Sequence, residues 1–365
     1  MKKHMLQLLA MILALLLVQT AIRPGTIPDL IYTPPPPQDP PFLKADSGWV
    51  DSVMEEMSLG EKISQMIMIP VYPRQGEAHA VGVERLIKKH GIGGLIFFKG
   101  SPVEMARWNN RFQEAAGVPL LMAVDGEWGL SLRVDSVLDY PRQMTLGAIT
   151  GETLIYRLAY EMAEQMKTMG FHLNFAPVAD INNNPGNPVI NYRSFGEDRF
   201  NVTRKVIAMF QGMQDNGLLV TAKHFPGHGD THVDSHEALP VIDHDRRRLD
   251  SVELYPFREA AGRGLTGIMV AHLDVPALDD RTNRPATLSS PIVQDLLRDK
   301  MGFEGLVVTD ALGMRGVSDH FEPGELEVEA VRAGNDILLM PSDAGKAIQA
   351  IKQAVRNGEI ASERI

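Results

Sequence analysis

The densest run of reactive side chains in this 365-residue sequence is Lys223-His224-Phe225-Pro226-Gly227-His228-Gly229-Asp230-Thr231-His232-Val233-Asp234-Ser235-His236. Its histidines recur at every fourth residue, a spacing that on a helix would line one face with metal ligands. Pro226, Gly227 and Gly229 oppose a continuous helix there. The run therefore reads as a long loop, and a metal-dependent hydrolase stays only as an alternative. Other ionisable residues directly follow short apolar runs: Asp125-Gly126-Glu127, Asp180, His272 and Asp310. Taken singly, Asp125 or Asp180 can be a helix cap or a binder of loop amides. Taken together they point to one polar site, because a structural scaffold needs no ionisable group at so many equivalent places.

Those apolar runs are the elements that must position the chemistry. Strands are expected at 66–71, 94–98, 120–124, 172–176, 219–222, 267–271, 306–309 and 336–340. Amphipathic helices are expected between them at 82–90, 103–116, 152–169, 202–214, 246–263, 291–301, 325–333 and 344–357. A further helix over 59–66 has Ser58 placed to cap it. Eight strands alternating with eight helices predict a parallel α/β architecture. The number favours a closed (β/α)8 TIM barrel over an open doubly wound sheet, and no Gly-x-Gly-x-x-Gly turn follows the first strand. In such a barrel the functional groups stand at the C-terminal ends of the strands. Asp125, Lys223, His224, His272 and Asp310 all fall there.

Composition narrows the chemistry further. The formal net charge of −10 disfavours nucleic acid and anionic membrane as partners. The sequence has no cysteine, which excludes disulfides, thiolate metal sites, a thiol nucleophile and a lipidated N-terminal cysteine. Lys2 and Lys3 precede an apolar run over 5–18, too short for a comfortable membrane span. Residues 1–21 are expected to be a signal peptide and 22–44 a linker, with prolines at 34–37, 40 and 41 favouring extended backbone. Residues 45–365 are expected to form the catalytic domain. The protein is then exported, periplasmic or extracellular, with no stable membrane span once the signal is cleaved. The sequence also reads as the N-terminal part of a larger protein, with a further C-terminal domain beyond 365.

The run from Lys223 to His236 closely resembles the loop of glycoside hydrolase family 3, in its β-N-acetylglucosaminidase (NagZ-type) branch. Other segments agree in order. Asp125-Gly-Glu with Arg133 resembles the family's sugar-binding segment, Asn174-Phe-Ala-Pro-Val-Ala-Asp180 its fourth strand and Arg193-Ser-Phe-Gly the following loop. Val308-Thr-Asp310-Ala-Leu-Gly-Met314 resembles its nucleophile strand, and Ala333-Gly-Asn-Asp-Ile-Leu-Leu-Met-Pro341 its last. The likeness covers about 47–360. One departure is Trp128-Gly129, where the family usually has two glycines.

The resemblance implies a retaining β-N-acetylhexosaminidase that removes terminal β-linked N-acetylglucosamine from saccharides or peptidoglycan fragments. Asp310 is then the nucleophile, and His236, oriented by Asp234, the acid and base. Asp125, Arg133, Arg193, Lys223 and His224 would bind the sugar, with neither cofactor nor metal. His228 would help hold the loop, and His232 would face solvent. A mobile loop is expected, with Gly227 and Gly229 permitting it. The alternatives are a β-glucosidase, an N-acetylglucosamine phosphorylase, a non-catalytic sugar-binding domain and the metal-dependent hydrolase.

Overall fold

The computed structural model describes residues 32–233, 239–319 and 321–365. The expected signal segment, and the residues Asp234 and His236, lie outside the described residues. From Pro34 onward the chain forms one unit.

Local chemistry sets the frame. The Ser58 hydroxyl accepts the Glu61 amide while the Glu61 carboxylate accepts the Ser58 amide at 2.8 Å. This reciprocal cap starts the helix Leu59–Gln65. Eight strands follow: β1 Ile67–Val71, β2 Gly94–Phe97, β3 Leu121–Val124, β4 Leu173–Asn174, β5 Leu219–Phe225, β6 Gly267–Val270, β7 Leu306–Thr309 and β8 Leu338–Leu339. Each pairs in parallel with the next from β1 to β7, and β1 also pairs with β8. Between β7 and β8, Val308 bridges Ile337, and the Thr309 amide donates to the Ile337 carbonyl at 3.0 Å. The sheet closes into the TIM barrel expected from the alternation. Apolar side chains from successive strands fill its interior, among them Met68, Ile96, Ala123, Phe175, Met269, Val308 and Leu339.

The helices Glu77–His90, Pro102–Ala115, Thr153–Thr168, Arg199–Asp215, Glu325–Ala333 and Ala344–Arg356 stand where expected, within a few residues at each end. The continuous helix expected over 246–263 is instead two pieces, Arg246–Ser251 and Tyr255–Ala261. Pro256 explains the break. Inside one long helix its ring would meet the Val252 carbonyl and leave a hydrogen bond unmade, whereas in the first turn of a new helix neither cost arises. A second difference matters for the site: β5 runs three residues beyond the expected 222, so Lys223 and His224 are strand residues, fixed by the sheet.

The proline-rich segment lies along the barrel at its end. The Gln38 amide donates to the Gly262 carbonyl at 3.1 Å, and Pro41–Lys44 forms a 3₁₀ turn. Among the described residues no helix is long and apolar enough to cross a membrane.

Candidate active site

Three strand ends supply one side of the site. β3 delivers Asp125 and Glu127, and its loop is pinned from β4: the Asn174 side chain accepts the Gly126 amide at 2.9 Å. β5 delivers Lys223 and His224. The Lys223 ammonium lies 2.6 Å from an Asp125 oxygen and 2.8 Å from a Glu127 oxygen. Arg133 donates to the other Asp125 oxygen at 2.6 Å. Arg193 grips Glu127 with two nitrogens, at 2.6 and 3.0 Å, and its Nη2 also meets His224 Nε2 at 3.2 Å. The five side chains form one alternating chain of charge. Glu127 and Lys223 are buried, so neither would be stable there without the other.

The electrostatics follow from that arrangement. Burial opposes ionisation of Glu127, but Lys223 and Arg193 outweigh it and hold its carboxyl far below the usual carboxylate range. Burial likewise opposes the Asp125 charge, and Lys223 and Arg133 prevail, so it too is held low. Arg193 is driven the other way: burial disfavours its charge, and Glu127 more than restores it.

Asp180 organises the start of the loop after β5. Its buried carboxylate accepts the His228 amide at 2.7 Å, the His224 amide at 3.2 Å and His224 Nδ1 at 2.6 Å. That last bond leaves His224 Nε2 for the Arg193 side. Asn187 donates to the His228 carbonyl at 2.8 Å, and Asn184 to the Thr231 carbonyl at 2.9 Å. Gly227 has φ of +134°, and a Cβ on Gly229 would lie 1.8 Å from the Ile181 carbonyl oxygen. Both glycines are thus required by packing at the root of the loop. His228 is buried. Burial, with the neighbouring His224, depresses its pKa to about 4, so at neutral pH it carries no charge.

The opposite side is β7. Asp310 follows its last residue, and its Oδ1 accepts the Ala311 amide at 2.8 Å. Burial works to raise this carboxyl. His224, His272, the Ala311 amide and Lys223 together outweigh burial and keep it below the ordinary value. Asp310 is therefore a carboxylate at neutral pH. His272 itself is braced by Thr287 at 2.8 Å and the Ala311 carbonyl at 3.1 Å.

Asp125, Arg133, Arg193, Lys223, His224 and Asp310 all line one cavity of about 430 Å³, together with an apolar wall that includes Phe98, Phe175, Met269 and Met340. Six of the eight site residues expected from the sequence are thereby brought together; Asp234 and His236 lie outside the described residues. His228 also lines the cavity. His232 is outside it, against Asn184 at 3.2 Å. Two residues that matter were missed in their roles. Glu127 is the counter-charge for Lys223 and Arg193, and Asp180 is the loop's anchor. Their positions beside Asp125 and after β4 were the available signal.

Of the three described histidines of the run, His224 and His228 line the cavity while His232 lies against Asn184, so these three do not share one face. Among the described residues the cluster with metal-like spacing is Asp230, His244 and Glu253. Arg248 already stands within it, 3.1 Å from Glu253 and 3.7 Å from Asp230, and a guanidinium there opposes a cation.

Residues 58–365 match the model of the glycosyl hydrolase family 3 N terminal domain. The chain belongs to glycosyl hydrolase family 3. Beta-hexosaminidase A of Pseudoalteromonas piscicida is 39% identical over 282 residues, which cover 71% of this chain and 47% of that one. Beta-hexosaminidase LpqI of Mycobacterium tuberculosis is 32% identical over 83% of this chain and 79% of its own. A solved family 3 β-N-acetylglucosaminidase from Paenibacillus sp. superposes with a TM-score of 0.79 at 39% identity, over 84% of this chain and 60% of that one. The chain thus spans about half of the Pseudoalteromonas relative and three fifths of the Paenibacillus one.

Proposed function

We propose that this family 3 chain hydrolyses terminal, non-reducing β-linked N-acetylglucosamine with retention of configuration. The observation that carries the reading is the single cavity in which an ionised Asp310 faces a preformed cluster of hydroxyl-binding groups, Asp125, Arg133, Arg193, Lys223 and His224. The names of the relatives supply the sugar.

In the first step Asp310 attacks the anomeric carbon, the glycosidic C–O bond breaks, and His236 protonates the departing oxygen. In the second, His236 takes a proton from water, whose oxygen displaces Asp310 and frees the sugar. Asp234 orients the imidazole and favours its charged form. Asp125, Lys223 and Arg193 hold the ring against this exchange. Their charges are fixed in advance by one another, so little rearrangement accompanies the reaction. The substrates are N-acetylglucosamine-containing glycans such as peptidoglycan fragments, met outside the cytoplasm if the first 21 residues act as a signal.

Release of nitrophenol from the β-N-acetylglucosaminide tests the reading. Wild type should turn over in phosphate-free buffer. Asp310→Ala should be inactive. His236→Ala should keep the first step, because nitrophenol leaves without a proton, and stall in the second. A well-folded wild type with no turnover would sink the reading.

A further inference from the structure

The cavity is lined by four cations besides histidine, and three are already engaged. Arg133, Arg193 and Lys223 each have a carboxylate oxygen 2.6 Å from a nitrogen. The fourth, Arg315, is different. It lines the same cavity from the start of the short helix Arg315–Ser318 that follows Asp310, yet its side chain is 73% exposed. Its carboxylate partner is Asp319, four residues on, at 3.4 Å and itself half exposed. An ion pair of that length between two solvated side chains is weak and readily exchanged.

We propose that Arg315 forms an oxyanion subsite at the mouth of the cavity, on the side from which the leaving group departs. The inference rests on the hydrolase reading given above and extends it to the acceptor side. In that reading the terminal sugar is held by Asp125, Arg193 and Lys223. Whatever is attached to it extends beyond Asp310, and Arg315 is an exposed cation lining the cavity on the segment that follows Asp310. A guanidinium binds a planar carboxylate or a phosphate through two parallel hydrogen bonds. The chain as a whole carries a net charge of −10, so an anionic substrate would be repelled unless a local cation received it. The oxyanion is either a carboxylate borne by the leaving-group sugar or a free phosphate. Asp319 acts as its placeholder.

The test compares two aryl β-N-acetylglucosaminides, one whose leaving group carries a carboxylate and one with an uncharged carboxamide in the same place. Wild type should favour the charged one in kcat/KM by about fivefold at low salt. Arg315→Gln should reduce that ratio to near one, Arg315→Lys should keep part of it, and Asp319→Asn should raise it. In parallel, inorganic phosphate and the carboxylate glycoside are titrated calorimetrically into wild type and Arg315→Gln. Phosphate binding that is lost in the variant, without a preference for the carboxylate, assigns the subsite to free phosphate. If the ratio is the same in all four proteins and the phosphate affinity is the same in the two titrated, the subsite does not exist. A wild type inactive on both glycosides would sink the hydrolase reading instead, and the two titrations would still decide on Arg315.

Discussion

On the β3–β5 side of the cavity every charged group is held by one of opposite sign: Asp125 by Arg133 and Lys223, Glu127 by Lys223 and Arg193. On the β7 side Asp310 accepts one hydrogen bond, from its neighbour's amide, and among the described residues no ion pair holds it. Asp125 and Asp310 are both half-buried with lowered pKa, so burial alone does not separate the two sides. What differs is whether the charge is spent on structure. The first side is a fixed array of paired charges, suited to the hydroxyl-binding role proposed for it. On the second side, among the described residues, the carboxylate is held by the Ala311 amide and by the attraction of His224, His272 and Lys223, the arrangement that the proposed nucleophile role requires.

The contrast predicts opposite outcomes for two substitutions. Asp310→Asn should lower kcat by at least roughly a thousandfold and cost little stability, because the carboxylate is held by a backbone amide and by longer-range attraction rather than by an ion pair among the described residues. Lys223→Met should do the reverse in stability. The buried Glu127 and the half-buried Asp125 lose their shared cation, at a cost on the order of 3–5 kcal/mol. Urea unfolding of both variants beside wild type decides. Equal losses of stability would mean that the two sides are not built differently.

How the sequence reveals these two sides is itself unequal. Asp310 was legible because β7 is a plain apolar run ending in one carboxylate, and strand periodicity locates such an end to within a residue. Lys223 and His224 were legible as residues but not as strand: Phe225-Pro226-Gly227 reads as a turn, whereas the sheet carries β5 through Phe225. The role of Glu127 was not legible. Its partners are 66 and 96 positions away, at Arg193 and Lys223, and only closure of the barrel brings them together. The split at Pro256 was missed because the apolar spacing on either side of it is continuous, although the proline itself was a sufficient signal. Gly227 and Gly229 were read as hinges. Their φ value and the approach of Ile181 show that packing already demands glycine there.

The third prediction sharpens the template side through pH. His228 is neutral in the fold, with a pKa near 4 against 6.5 when exposed. A histidine whose folded pKa is depressed favours the unfolded state as pH falls, since the unfolded chain takes up the proton first. Stability should therefore decline from about pH 6.5 down to about pH 4, by up to roughly 3 kcal/mol from this residue. Asp125, Glu127, Asp180 and Asp310 have depressed values too, so their contribution is complete above their unfolded pKa and is lost only below about pH 4.5. The windows are separable. In His228→Gln the slope above pH 4.5 should flatten while the acid limb remains. An unchanged slope would mean that another group carries it.

The smallest expected effect concerns Trp128, the departure from the family's glycine pair. Its ring lies under the Arg142 guanidinium at 4.1 Å and against the Tyr192 ring at 6.3 Å, and it does not line the cavity. It therefore braces the outside of the β3 loop, one residue from Glu127, which faces in. Trp128→Ala should cost about 1 kcal/mol of stability through the lost cation–π contact. It should shift KM by no more than a few fold and leave kcat alone, whereas Glu127→Gln, one position earlier, should depress both kcat and kcat/KM by freeing Lys223 and Arg193 from their shared counter-charge. Steady-state kinetics on the pair measures how sharply the site ends. A kcat loss in Trp128→Ala as large as that in Glu127→Gln would mean that the loop works as one unit, and that the functional boundary lies outside the cavity wall rather than at it.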